Sequence, residues 1–146
     1  MTMNAELRPV HTLIDPSSSV IIGPSIRSAA VVRNMLASKI PVVGVHPSKD
    51  DVLGLKCLPS ISALETTPDL AVVMVGHGRV EEAVYELMDR GTRAFFFPGL
   101  GSEAGADGPL IAARIRERAA ANGSMIIGQN CMGIAKPGGS PWIGSI

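Results

Sequence analysis

The stretch Val20-Ile21-Ile22-Gly23-Pro24-Ser25-Ile26-Arg27-Ser28 decides the fold. Three apolar residues run without a polar break, a Gly-Pro turn follows, and a helical pattern then opens. Four more runs behave like the first: Val42-Val43-Gly44-Val45, Ala71-Val72-Val73-Met74-Val75, Ala94-Phe95-Phe96-Phe97 and Met125-Ile126-Ile127. They are continuous rather than alternating, as expected of parallel strands buried on both faces. Between them, Val80, Ala83, Val84, Leu87 and Met88 share one helix face, and Gly91 reads as the stop. Ile111, Ile115 and Ala119 mark a second helix, with Asp107 as its cap, Pro109 in its first turn and Asn122-Gly123 at its end. A third is predicted over residues 28–39, with Val32, Met35 and Leu36 inward, and residues 60–64 read as one short helical turn. This order predicts an α/β chain: a doubly wound parallel sheet of about five strands.

Length and composition bound what the chain does. The 146 residues suggest one domain. Residues 1–16 read as a loose lead-in, 17–135 as the domain, and the Gly- and Pro-rich 136–146 as an exit loop or linker. Thirteen basic residues balance thirteen acidic ones, which argues against a general affinity for nucleic acid or an anionic membrane. Aromatic residues make up only 3% of the chain, too few for a surface that stacks single-stranded nucleic acid. The N-terminus has no apolar signal-peptide core, and no apolar run approaches the roughly 18–20 residues of a membrane helix. Cys57 and Cys131 read as reduced residues of a soluble cytoplasmic protein. The histidines His11, His46 and His77 show no zinc spacing, and the adjacent Asp50-Asp51 reads as a helix N-terminal pair rather than a metal site. No metal is expected.

In such a Rossmann-like sheet, ligands bind beyond the carboxyl ends of the strands, so the loops after them carry the argument. In the first, Gly23 permits a tight turn into a helix start whose free N–H groups favour a phosphate. Ser25 and Ser28 add hydroxyls. Arg27 sits where the helix dipole disfavours a cation, a conflict that a bound anion would relieve; the alternative is a plain turn with a solvated Arg27. Ser25 and Ser28 also replace two glycines of the dinucleotide fingerprint, and His46 stands where an NAD site wants an acid. The nearest charge is Lys49, which suits a phosphorylated ribose, as in coenzyme A (CoA) or NADP. After the third run, Gly76 and Gly78 flank His77, a stacking partner or an ordinary surface histidine; Arg79 is a second anion candidate. The loop Pro98-Gly99-Leu100-Gly101 leaves room for a ligand arm, or is simply flexible. In Gly128-Gln129-Asn130-Cys131, the thiol lacks a local activator and reads as packed and inert.

Read together, several segments resemble one family. Asp15-Pro16-Ser17-Ser18-Ser19-Val20-Ile21-Ile22-Gly23-Pro24-Ser25 looks like the opening of the CoA-binding domain of NDP-forming acyl-CoA synthetases, which include the succinyl-CoA synthetase α subunit. So do Val45-His46-Pro47-Ser48-Lys49, Pro59-Ser60-Ile61, Pro68-Asp69-Leu70-Ala71-Val72 and Gly128-Gln129-Asn130-Cys131-Met132-Gly133, in family order. The resemblance implies the ligand, coenzyme A, and residue roles. Gly23, Ser25, Ile26, Arg27 and Ser28 would hold its phosphates, and Pro47 and Lys49 its phosphorylated ADP end. Val75, Gly76 and His77 would border the path from adenine to pantetheine. Gly99, Leu100 and Gly101 would line the pantetheine arm, with Asn130 and Cys131 near the thiol. There are departures: His46 replaces the usual Asn or Thr, Gln129 the usual Pro, and Phe97-Pro98-Gly99 the usual Ser-Ala-Gly or Thr-Glu-Gly.

The reaction implied joins a carboxylic acid to CoA at the expense of ATP or GTP, through an acyl phosphate and a phosphohistidine. His77 is not in the matching position, and the nucleotide-binding ATP-grasp part is not in these 146 residues. The chain is therefore expected to bind CoA or acyl-CoA without catalysing alone. Its expected partners are the remaining synthetase domains or a partner subunit, or a second copy of itself. An NADP-binding oxidoreductase domain and a stand-alone CoA-sensing module are the rival readings.

Overall fold

The computed structural model describes residues 8–100, 102–136 and 142–144. Strand β1 (Ser19–Ile22) lies at the middle of the sheet, buried at all four positions. It pairs in parallel with β2 (Val42–Val45) on one side and β5 (Leu70–Val73) on the other. Beyond β5 come β6 (Ala94–Phe96) and β7 (Met125–Ile127), both parallel. These five strands are the five apolar runs. Beyond β2 lie β4 (Leu55–Leu58), parallel to it, and β3 (Asp51–Val52), antiparallel at the edge. The sheet therefore has seven strands in the order β3-β4-β2-β1-β5-β6-β7.

The two extra strands form a hairpin that the sequence reading missed. Its turn residues Leu53 and Gly54 both have positive φ, 57° and 85°, as a two-residue I′ turn requires. Asp51 does not open a helix. Its Oδ1 accepts the Gly54 N–H at 2.9 Å, and its Oδ2 lies 3.4 Å from Lys56 Nζ across the hairpin.

Among the described residues, four α-helices cover the two faces. On one face lie α1 (Arg8–Ile14) and α2 (Ala29–Ala37); on the other, α3 (His77–Arg90) and α4 (Gly108–Asn122). Alternate residues of each strand serve opposite faces: Val20, Ile22, Phe95 and Phe97 join Val84 and Ile115, while Ile21 and Phe96 join Leu13 and Met35. That double burial is the physical reason the runs are continuous. Residues 8–14 are thus not a loose lead-in. Leu13 of α1 is fully buried beneath the sheet because β6 and β7 would otherwise leave that face bare. The described residues of 136–146 also make contacts with the domain. Trp142–Gly144 forms β9, which pairs antiparallel with β8 (Gly133–Ala135) and packs by α2, while Lys136 meets Asp15 at 2.7 Å.

Helix ends follow the sequence more closely. Gly91 and Gly123 close α3 and α4 in the left-handed conformation. Asp107 stands at the cap position of α4, but its side chain caps nothing, because a 3-10 segment, Ser102–Asp107, already leads the chain in. Within α2, Leu36 is exposed and Val31 takes its inward place. No helix of the described residues is long and apolar enough to cross a membrane.

Polar contacts clamp α3 to α4. Arg114 holds Glu81 with two bonds of 2.7 and 2.6 Å, Arg118 meets Asp89 at 2.6 Å, and the Arg118 guanidinium lies 5.1 Å from the Tyr85 ring centre. The Arg114 hydrogen bond holds the Glu81 carboxyl below its usual range. A depressed carboxyl stabilises the fold above its unfolded value of about 4.3 and ceases to as pH falls through the folded value. Arg114→Ala should therefore lower Tm modestly at pH 7, and the gap from wild type should close on acidification below about pH 4. Thermal unfolding across that range checks it; a gap independent of pH would assign the effect to packing.

Candidate functional site

The chain order reverses beside β1: one route leaves it through β2, the other returns through β5. The loops after β1 and β5 must part there, which opens a crevice at the carboxyl edge of the sheet. Gly23 begins the crevice wall. Its φ is +73°, and a Cβ placed on it would lie 2.7 Å from Val75 Cγ1. Its N–H donates to the Val45 carbonyl at 2.9 Å, which fixes the turn to the end of β2.

The next residues form a self-contained turn. Ser25 Oγ accepts the Arg27 N–H at 3.2 Å, Ser28 Oγ accepts the Ser25 N–H at 2.8 Å, and the Ser28 hydroxyl donates back to the Ser25 carbonyl at 2.8 Å. This reciprocal cap closes the 3-10 turn Ile26–Ser28 that leads into α2. Ser28 is buried, so its hydroxyl shapes the loop from inside. Ile26 is 71% exposed, and Arg27 points outward over the crevice.

After β2, His46 organises the second loop. Its Nδ1 accepts the N–H groups of Ser48 at 3.2 Å and Lys49 at 3.1 Å. Nδ1 stands the same number of bonds from Cα as the side-chain oxygen of Asn, so His46 can build the turn that Asn builds. The exposed Lys49 follows on this turn.

Two recesses open from the crevice and share Val75 in their walls. The first, about 550 Å³, runs from Gly23 and Ser25 past His46 and Pro47 to Pro59, Ser60 and Ile61, and is bordered by Arg79, Glu82 and Glu86 of α3. The second, about 430 Å³, runs from Arg27 past Met74, Gly76 and His77 to Phe97, Gly99, Leu100 and Ala104. Both have the size of small-molecule sites. Its far end is stapled: Asn130 N–H donates to the Gly99 carbonyl at 3.0 Å and Cys131 N–H to the Phe97 carbonyl at 3.2 Å.

The crevice gathers most of the residues singled out by sequence. Gly23, Ser25, Pro47 and Val75 line the first recess; Arg27, Val75, Gly76, His77, Gly99 and Leu100 line the second. Ser28, Ile26, Lys49, Asn130 and Cys131 line neither, and Gly101 lies outside the described residues. Cys131 packs on the α2 side of the sheet, its Sγ 3.7 Å from the Gly133 carbonyl. Cys57 is core, and burial pushes its thiol pKa up, so it is no ready nucleophile. No group of three or more His, Cys, Asp and Glu among the described residues could hold a metal ion.

Sequence reasoning missed Pro59, Ser60, Glu82 and Glu86 as wall residues. The first two reach the site because β4 runs beside β2, with His46 N–H donating to the Leu58 carbonyl at 2.9 Å. The glutamates were detectable as a helical stripe: Arg79, Glu82, Ala83 and Glu86 fall at i, i+3, i+4 and i+7.

A trans-feruloyl-CoA synthase from an unknown prokaryotic organism is 30% identical over 131 residues, which are 85% of this chain and 18% of that protein. An ADP-forming acetate–CoA ligase of Methanocaldococcus jannaschii is 30% identical over 82% of this chain and 17% of its own length. The chain thus spans less than a fifth of these relatives. Among solved structures, an acetyl-coenzyme A synthetase of Ca. Korarchaeum cryptofilum, in complex with phosphate and ADP, superposes with a TM-score of 0.74 at 25% identity, over 86% of this chain and 28% of that one. The profile described as a CoA binding domain matches residues 18–137, and the chain belongs to that family.

Proposed function

We propose that this chain is the CoA-binding domain or subunit of an acid–thiol ligase of the NDP-forming acyl-CoA synthetase kind. The whole protein would join a carboxylic acid to CoA at the expense of ATP or GTP, and this part would hold the CoA. One observation carries the reading: two adjoining recesses meet at the phosphate-suited turn Gly23–Ser28 and share Val75. That shape suits a ligand with a flat base at one end, phosphates in the middle and a long arm at the other.

In this reading the base enters the first recess, between Pro47, Pro59 and Ile61. The pyrophosphate lies over the first turn, with the Arg27 guanidinium beside it. The 3′-phosphate lies toward Lys49 at the rim. The pantetheine arm follows Val75, His77, Gly99 and Leu100, which brings the thiol toward the Asn130-Cys131 loop. The protein's part here is to bind and orient. The nucleotide, the acid and the phosphohistidine belong to the remaining domains or partner subunit.

Calorimetric titration of the 146-residue chain with CoA, 3′-dephospho-CoA and NADPH tests this. CoA should bind about tenfold more tightly than the dephospho form, the value of one charge-assisted contact at a rim. Equal affinities would remove Lys49 from the site. Tight NADPH binding without CoA binding would favour an NADP-dependent oxidoreductase domain instead.

A further inference from the structure

The carboxylates of α3 divide into two sets. Glu81 and Asp89 are spent on Arg114 and Arg118 of α4. Glu82 and Glu86 border the first recess, one helical turn apart, and among the described residues neither meets a cation or a hydrogen-bond donor. Like charges at this spacing are mildly unfavourable within a helix. Arg79 on the same stripe leaves the rim a net negative charge and, among the described residues, makes no ion pair of its own.

The rest of the recess narrows what the pair can recognise. Pro47, Pro59, Ile61 and Val75 supply apolar walls. Apolar faces with an acceptor-only edge fit a flat ring that presents N–H donors at its edge. A phosphate is the wrong partner for two carboxylates, so the phosphorylated ribose is turned away from α3 and the base toward it.

Resting on the CoA reading above, we propose that Glu82 and Glu86 fix the ligand's base by accepting from its exocyclic amine. They are then specificity-determining residues of the base recess, set apart from the phosphate-binding turn. A base whose amine hydrogens are replaced leaves both carboxylates facing a group that cannot donate, and the complex loses charge-assisted hydrogen bonds.

The probes are CoA and 1,N6-etheno-CoA, in which a fused ring removes the amine hydrogens. Each is titrated calorimetrically into the wild-type chain and into the double variant Glu82→Ala, Glu86→Ala; both positions are exposed on a helix, where alanine is well tolerated. The wild type should bind CoA at least about tenfold more tightly than the etheno form. The double variant should lose about that factor for CoA and bind the two ligands alike. Equal binding by the wild type would overturn the proposal. So would a gap that survives in the double variant, which would mark the added ring's bulk as the cause, or tighter CoA binding by the variant, which would make the pair a repulsive rim. If neither ligand binds the wild type, the CoA reading itself falls, an outcome distinct from the other three.

Discussion

Gly23→Ala is expected to destabilise the fold by about 2–4 kcal/mol and to weaken CoA binding by at least about tenfold. Two causes add. The residue has φ of +73°, where a side chain is strained. The new methyl would also lie 2.7 Å from Val75 Cγ1 and 3.2 Å from the Val75 backbone. Valine is stiff at χ1 and cannot swing clear cheaply. Val75 lines both recesses, so the displacement falls where base and arm meet. Thermal unfolding and calorimetry read the two losses. In a Val75→Ala background the clash with Cγ1 is gone, and the φ strain and the close backbone contact remain, so Gly23→Ala should cost less there. Unchanged CoA affinity in the single variant would mean that the ligand does not cross this turn.

Gly128→Ala should cost a similar amount of stability, about 2–4 kcal/mol, but its binding defect should be confined to the arm. Gly128 has φ of +106°, and a Cβ there would overlap the Phe97 carbonyl oxygen. That oxygen is backbone, and it accepts the Cys131 N–H, so it has little freedom to yield. The loop would be pushed off its staples to Phe97 and Gly99, and the second recess would lose the wall that Gly99 and Leu100 provide. CoA affinity should fall while adenosine 3′,5′-bisphosphate, which has no pantetheine arm, binds as before. Equal losses for both ligands would assign the effect to global destabilisation.

The parts of the fold that sequence revealed are those set by local, repeated signals. The five inner strands announce themselves because both their faces are buried. Helices α3 and α4 end at glycines that adopt positive φ. The hairpin at residues 51–58 did not, because its turn places Leu53, not Asn or Gly, at positive φ, and β3 is only two residues long. Helix α1 was equally silent: seven residues carry too little periodicity, and what holds Leu13 is the bare face of β6 and β7. The pairing of β9 with β8 is likewise a tertiary event. The site shows the same division. Gly23, Ser25, Arg27 and Gly76 were legible because each lies in a loop that follows a predicted strand. Pro59 and Ser60 were not, since their approach depends on the unpredicted β4. Lys49 shows a further limit: its charge is legible in sequence, but its distance from the crevice is set by the turn that His46 builds.

The reciprocal Ser25–Ser28 cap has a bearing on how fast a ligand can be captured. Both hydroxyls are already committed within the turn, and its backbone is held by three hydrogen bonds at 2.8 to 3.2 Å. The segment does not have to order itself around an incoming phosphate, so little conformational entropy is lost at the moment of association. The turn already holds its shape before the ligand arrives. Encounter is then governed by diffusion and by the Arg27 charge at the mouth rather than by loop rearrangement.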